Sequence, residues 1–131
     1  MRTFIIDGYN VIYKIRRFEM ELDNSLQSAR EALVNFININ KPNADKYVVI
    51  FEGKDEHFGL SQPESGRVRV VFTNTHEEAD RRIVDMLKSS DNTRNLVIVS
   101  DDNYVLNHAR SFGAGRMSAA EFFKTKKAQR P

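Results

Sequence analysis

Cysteine is absent from the chain, which excludes disulfides and thiolate metal sites. Any metal held here must take oxygen ligands or the scattered histidines His57, His76 and His108. No apolar run approaches the roughly 18 to 20 residues that a membrane span needs. The N-terminus, Met1-Arg2-Thr3 running straight into an apolar stretch, lacks the layout of a signal peptide. A cytoplasmic location is the expectation. Internal repeats, low-complexity segments and interior linkers are missing too. The 131 residues are therefore expected to form one domain, 1–131, with a basic tail from about residue 124. Neither sign of charge is in large excess: 20 basic residues face 18 acidic ones, for a net charge of +2. That balance permits nucleic-acid binding without arguing for it. The distribution says more. Lys124, Lys126, Lys127 and Arg130 load the C-terminus, while acids gather at the ends of apolar runs.

What is present is ordinary for a soluble globular protein, 40% hydrophobic and 29% charged. Phe4 to Ile6 is a short, fully apolar run, the mark of a strand buried on both faces. It ends abruptly in Asp7, and Gly8 lets the backbone turn there. Val11, Ile12, Ile15 and Phe18 follow at helical spacing. Ser25 is placed to cap a second helix carrying Leu26, Ala29, Leu33, Phe36 and Ile37, which Lys41-Pro42-Asn43 ends. Tyr47 to Phe51 is a second strand, ending in Glu52-Gly53. Lys54 to Gly66 is polar and reads as a loop. Val68 to Phe72 is a third strand, whose alternation of Arg67 and Arg69 with apolar residues suits an edge.

Thr75 and Glu78 form a capping-box pattern before a helix reaching about Lys88. Leu96 to Val99 is a fourth strand, ending in Ser100-Asp101-Asp102. A helix through Val105, Ala109 and Phe112 is stopped by Gly113. Ala114 to Met117 is a last short strand, and Ser118 with Glu121 is a second capping box. Strands alternating with helices predict an α/β fold, a three-layer sandwich around a mostly parallel sheet. The expected strand order is 3-2-1-4-5. The second and third strands are expected to pair in parallel across a long crossover, with a hairpin as the other arrangement.

In such a sheet, ligands bind beyond the carboxyl ends of the strands. Asp7, Glu52 and Asp101 come to that edge from strand ends. The helix after Thr75 adds more acids. With Ala79, Ile83, Met86 and Leu87 as its buried stripe, Asp80 falls at the border and Glu77 on the same flank. Glu78 lies on the opposite flank as the capping acid. Arg81 and Arg82 follow, as phosphate contacts or as solvated surface. Carboxylates held together raise one another's pKa and destabilise the fold unless a cation compensates. Hard oxygen donors without sulfur suit Mg²⁺ or Mn²⁺. Such ions activate water and stabilise the charge that builds on a phosphoryl group. The acids thus point to metal-assisted hydrolysis of a phosphodiester. Each has a plainer role as well: Asp7 and Asn10 as caps of the first helix, Asp101 or Asp102 as an N-cap, Glu52 as a solvated loop acid. Tyr9 and Tyr104 at the same edge are packing residues or stacking surfaces for bases.

Asp7-Gly8-Tyr9-Asn10 after a strand, then Phe51-Glu52-Gly53, Phe72-Thr73, Glu77-Glu78-Ala79-Asp80 and Val99-Ser100-Asp101, resemble the NYN domain of YacP-like proteins. Phe112-Gly113-Ala114-Gly115 and Ser118-Ala119-Ala120-Glu121 resemble that family's ending. The likeness covers nearly the whole chain in order. It implies a PIN-like, Rossmann-like sheet and a metal-dependent endoribonuclease. It also implies RNA as substrate and, because some relatives act on messenger RNA at the ribosome, the ribosome as a partner. By the resemblance, Asp7, Asp80 and Asp101 are the core acids that hold metal, and Glu77 matches the glutamate of the family's Glu-x-Ala-Asp run. Asn10 matches an asparagine that orients Asp7 or a metal-bound water, and Arg30 an arginine that reaches the site or the RNA. Glu52 departs from the family's usual Asp, which puts metal geometry in question. The charged extension of fuller members is also short here.

Two other functions compete with the nuclease. One is a non-catalytic RNA- or ribosome-binding module on the same fold, with Glu52 as a sign of drift. The other is a phosphoacceptor domain of response-regulator type. That class wants adjacent acids after the first strand, and Asp7 has no acidic neighbour there. No Ser or Cys nucleophile with a base is in view, which argues against covalent catalysis.

Overall fold

A computed structural model of the chain describes residues 1–53, 64–65, 68–74 and 77–124. The expected loop beyond Gly53, Thr75 of the first capping box, His57, His76 and the tail beyond Lys124 lie outside the described residues.

The chain runs β1 (Thr3–Asp7), α1 (Gly8–Lys14), α2 (Arg16–Glu21), α3 (Leu26–Asn40), β2 (Lys46–Phe51), β3 (Glu64–Ser65), β4 (Val68–Phe72), α4 (Ala79–Ser89), β5 (Leu96–Val99), α5 (Asn103–Ser111), β6 (Gly115–Met117) and α6 (Ala119–Phe122). The sheet order is β3-β4-β2-β1-β5-β6. Five of these strands are parallel, in the expected order 3-2-1-4-5 once the two-residue β3 is set aside. β2 and β4 pair in parallel, so the crossover holds and the hairpin does not. β3 was not foreseen. It pairs antiparallel with β4, so β4 is second from the edge.

Side chains alternate across the sheet, and this alternation builds two cores. Phe4, Ile6, Tyr47, Val49, Phe51, Val97 and Val99 face one side, under α1, α2, α3 and α6. Ile5, Ile50 and Ile98 face the other, under α4 and α5. The central strands are apolar on both faces because both faces are covered.

The first helical stretch divides in two. Ile15 takes an extended conformation (φ −110°, ψ 113°), ending α1 and opening α2. The bend seats Phe18 edge-on against Phe36 and Phe123, at ring separations of 6.0 and 5.2 Å. Ser25 accepts the Ser28 N–H and caps α3 as expected. The Ser118–Glu121 capping box forms in full. Gly113 ends α5 at φ 79°, a conformation that favours glycine.

Two glycines lie at the carboxyl edge of the sheet. A Cβ on Gly8 would strike the Phe51 ring and stand 2.8 Å from the Ile50 carbonyl oxygen. A Cβ on Gly53 would strike the Thr73 carbonyl. Both glycines therefore let backbones close up where β1, β2 and β4 end.

Candidate active site

Among the described residues, three polar or charged side chains are buried: Asp7, Thr73 and Ser100. All three stand at the carboxyl edge, just at or beyond the ends of β1, β4 and β5. Burial of polar groups is costly unless each is hydrogen-bonded, and each of these has its partner. Ser100 donates its hydroxyl to Asp7 Oδ2 at 2.9 Å. Its oxygen accepts the Asp102 N–H at 3.0 Å. Thr73 accepts the Gly53 N–H at 3.1 Å and donates to the Glu77 carbonyl at 2.7 Å, tying the end of β2 to the approach to α4.

Asp7 is the N-cap residue of α1, but neither its side chain nor that of Asn10 caps the helix. α1 begins at Gly8, and the Asp7 side chain makes no cap hydrogen bond. Asn10 lies inside α1, and its Oδ1 accepts the Asp101 N–H at 2.8 Å. It thereby clamps the turn after β5 to the turn after β1. The Ser100 hydroxyl lies 3.3 Å from the same oxygen. Asn10 thus reaches Asp7 through Ser100.

Asp7 is held at an unusual protonation balance. Burial pushes its pKa from the usual 3.8 up to about 7, against the lowering effect of the Ser100 hydroxyl. The carboxylates of Asp102, Asp80 and Glu52 push it further the same way. Asp7 therefore feels the charge of three further acids, one just after β2, one in α4 and one in the turn after β5.

The expected acids divide on this map. Asp7, Asp80 and Glu52 are brought together. Asp80 is half-buried in the first turn of α4. Glu52 Oε2 accepts the Ala79 N–H at 3.4 Å, so it also faces the open end of α4. Asp101 turns away: its Oδ1 accepts the Ala119 N–H at 2.8 Å, at the start of α6. Its neighbour Asp102, the N-cap of α5, is instead the acid of this turn whose charge raises the Asp7 pKa. Glu77 is taken up by Arg82 in a two-pronged ion pair at 2.8 and 3.1 Å. That pairing draws its pKa below the usual range. Glu78 is the residue before α4, with no side-chain cap bond, which corrects the capping-box reading. α4 starts at Ala79, three residues later than a Thr75 cap implies, and Glu52, just after β2, reaches its first N–H.

Arg30 reaches the same edge. Its guanidinium donates to the Tyr9 hydroxyl at 3.1 Å and lies beside the Phe51 and Phe72 rings. Burial raises the Tyr9 pKa, with the Arg30 bond opposing it. Arg81 is exposed on α4. Ser100 and Asp102 were not singled out as site residues by the sequence. The available signal was a serine closing an apolar run directly before two acids.

The donor chemistry fits a hard cation, since the groups about Asp7 offer carboxylate, hydroxyl and amide oxygen and no sulfur. The spacing is looser than a closed cage. Among the described residues, no three His, Asp or Glu side chains stand close enough to hold a metal ion as they are placed.

The sequence model of the YacP-like NYN domain matches residues 4–130. The chain belongs to this family. Among its YacP-like NYN relatives is the uncharacterized protein YacP of Bacillus subtilis, 29% identical over 130 residues, which cover 95% of this chain and 74% of that one. The crystal structure of Rae1 (YacP) from Bacillus subtilis superimposes with a TM-score of 0.76 at 25% identity, covering 95% of this chain and 72% of that one. Its W164L mutant gives the same TM-score, over 93% of this chain. YacP-like NYN membership and the PIN-like fold support a nuclease-like, RNA-related function. Among the described residues, no helix is long and apolar enough to cross a membrane.

Proposed function

We propose that this YacP-like NYN domain is a divalent-metal-dependent endoribonuclease that hydrolyses phosphodiester bonds of single-stranded RNA in the cytoplasm. One observation carries the reading: Asp7 is buried at the carboxyl edge with three further carboxylates around it. A fold that concentrates negative charge in this way is stabilised by a cation, and a polyanionic substrate would otherwise be repelled. NYN and PIN-like nucleases generally depend on a divalent metal, and the oxygen donors here suit Mg²⁺ or Mn²⁺.

Asp7 and Asp80 would hold the ion, with the third carboxylate from the turn after β5. Asp102 is the better placed of that pair. When bound, such an ion supplies a Lewis acid for the phosphoryl oxygens and acidifies water. The chain's own residues supply the rest. Ser100 fixes Asp7 by Oδ2, leaving Oδ1 without a hydrogen bond among the described residues. Asn10 locks the turn that carries Asp102. Glu52 holds the start of α4, and with it Asp80, toward the site. Arg81, exposed on α4, and Arg30, bonded to Tyr9 at the same edge, are the cations proposed to meet RNA phosphates.

The test is cleavage of an end-labelled single-stranded RNA by the purified chain with Mn²⁺, with Mg²⁺ and with EDTA, beside Asp7→Asn. Cutting that needs the metal and disappears in the variant is the expected result. The loose spacing of the acids favours one second reading, an RNA- or ribosome-binding module that does not cut. Its signature would be RNA or ribosome binding unchanged by Asp7→Asn, with no cleavage under any metal. Messenger RNA engaged at the ribosome is the natural substrate to try after free RNA.

A further inference from the structure

An exposed tyrosine, backed by a half-buried histidine, stands in the first turn of α5, which Asp102 caps. Tyr104 is the second residue of α5 and keeps 45% of its surface open. Large aromatic rings are usually covered in a folded chain, and Tyr104 is one of few exposed large hydrophobic side chains among the described residues. Its ring is not loose. It packs on the His108 ring at 4.6 Å with a 54° tilt. His108 Nδ1 lies 2.9 Å from the Tyr104 carbonyl oxygen, which fixes the imidazole one helical turn away. The Tyr104 N–H donates to Asp102 Oδ1 at 2.8 Å. The Asp102 backbone N–H in turn donates to Ser100 Oγ, whose hydroxyl donates to Asp7. The backbone at the start of α5, which carries this solvent-facing ring, is therefore linked to Asp7 through Asp102 and Ser100.

From this geometry we propose that Tyr104, braced by His108, is a stacking platform for an unpaired nucleobase of the strand whose phosphodiester lies at Asp7. The inference rests on the nuclease reading for what Asp7 does, but not for whether a base binds. The chemistry favours a base over other occupants. An aromatic face accepts any base by stacking, without hydrogen-bond readout. The acids beside it repel the phosphate of a bare anion, so a ligand that approaches this rim must offer a neutral flat surface next to its charge. An unpaired nucleotide has that form. A base inside a duplex does not present its face.

The chain contains no tryptophan, so Tyr104→Trp introduces a single reporter at the platform. We would place it in an Asp7→Asn background, which keeps the RNA intact, and titrate it with a short oligoadenylate, the same strand with abasic sites, and a blunt duplex. The expected result is fluorescence quenching by the oligoadenylate and not by the abasic strand or the duplex. Equal quenching by the abasic strand, or none by any, overturns the platform. In the otherwise unchanged chain, Tyr104→Ala is expected to raise KM for single-stranded RNA about tenfold, with kcat within about twofold, and Tyr104→Phe to restore KM. A KM unmoved in Tyr104→Ala overturns the platform and leaves the nuclease standing. Base-dependent quenching by a chain that cuts no RNA keeps the platform and overturns the nuclease.

Discussion

At the scale of single residues, Asp7 sets the behaviour most open to measurement. Its carboxyl is raised from 3.8 to about 7, chiefly by burial. The folded chain therefore holds this proton more tightly than the unfolded chain. The contribution to stability is fully present below about pH 4, is lost as pH rises toward 7, and stays lost above it. The shift corresponds to a loss on the order of a few kcal/mol for metal-free protein. Urea denaturation in EDTA at pH 5 and pH 8 should show it, with the wild type weaker at pH 8. Asp7→Asn removes the ionisable group and keeps the shape, so its stability should change much less between the two pH values and exceed the wild type at pH 8. A wild type equally stable at both would mean that burial does not raise the Asp7 pKa in the folded chain. The residue scale is also where the sequence was least legible. Asp7 announced itself as an acid ending an apolar run, and Asp80 and Glu52 by their places on elements. Which of Asp101 and Asp102 faces Asp7 depends on where α5 and α6 begin. Two adjacent side chains at a turn point different ways, and spacing alone does not choose between them. Glu77 likewise found Arg82, a partner five residues on, that no periodicity favoured over the site.

At the scale of elements, the apolar runs named the parallel strands, and Ser25, Gly113 and Ser118 marked helix ends by chemistry that acts locally. The misses came from tertiary forces. Ile15 belongs to a continuous helical pattern, yet packing of Phe18 with Phe36 and Phe123 rewards a break there. β3 consists of two residues whose pairing with β4 has no apolar signature. The turn from β1 into α1 is the element on which the site hangs, because it carries both Asp7 and Asn10. Gly8 makes it possible by letting the helix start against Phe51 and the Ile50 carbonyl. Gly8→Ala should therefore force the turn away from β2 and cost roughly 1–3 kcal/mol of stability. Its effect on RNA cleavage should exceed what that loss of folded protein explains, because Asp7 and Asn10 move together. Chemical denaturation gives the first quantity, and activity per folded molecule gives the second. A folded variant with full activity would show that the turn tolerates the methyl without moving Asp7.

At the scale of the whole molecule, the sheet gathers charge that its sequence keeps apart. Asp7, Glu52, Asp80 and Asp102 come from separate strands, helices and turns, and only the 3-2-1-4-5 order sets them at one edge. A chain built this way carries its own repulsion as a standing cost, which binding of a cation to the folded state alone would offset. The stabilisation grows as the logarithm of the ion concentration, reaching about 2.7 kcal/mol at 100 times the dissociation constant. Mn²⁺ or Mg²⁺ should therefore raise the melting temperature of the wild type in a concentration-dependent way. The rise should be larger at pH 8 than at pH 5, because a protonated Asp7 offers the ion a neutral ligand. Asp7→Asn should lose most of the response, and Na⁺ at matched ionic strength should not reproduce it. Scanning calorimetry with and without EDTA measures this independently of any RNA. A melting temperature indifferent to both divalent ions, in a chain that still binds RNA, would locate the function in exposed residues such as Tyr104 rather than in the acids.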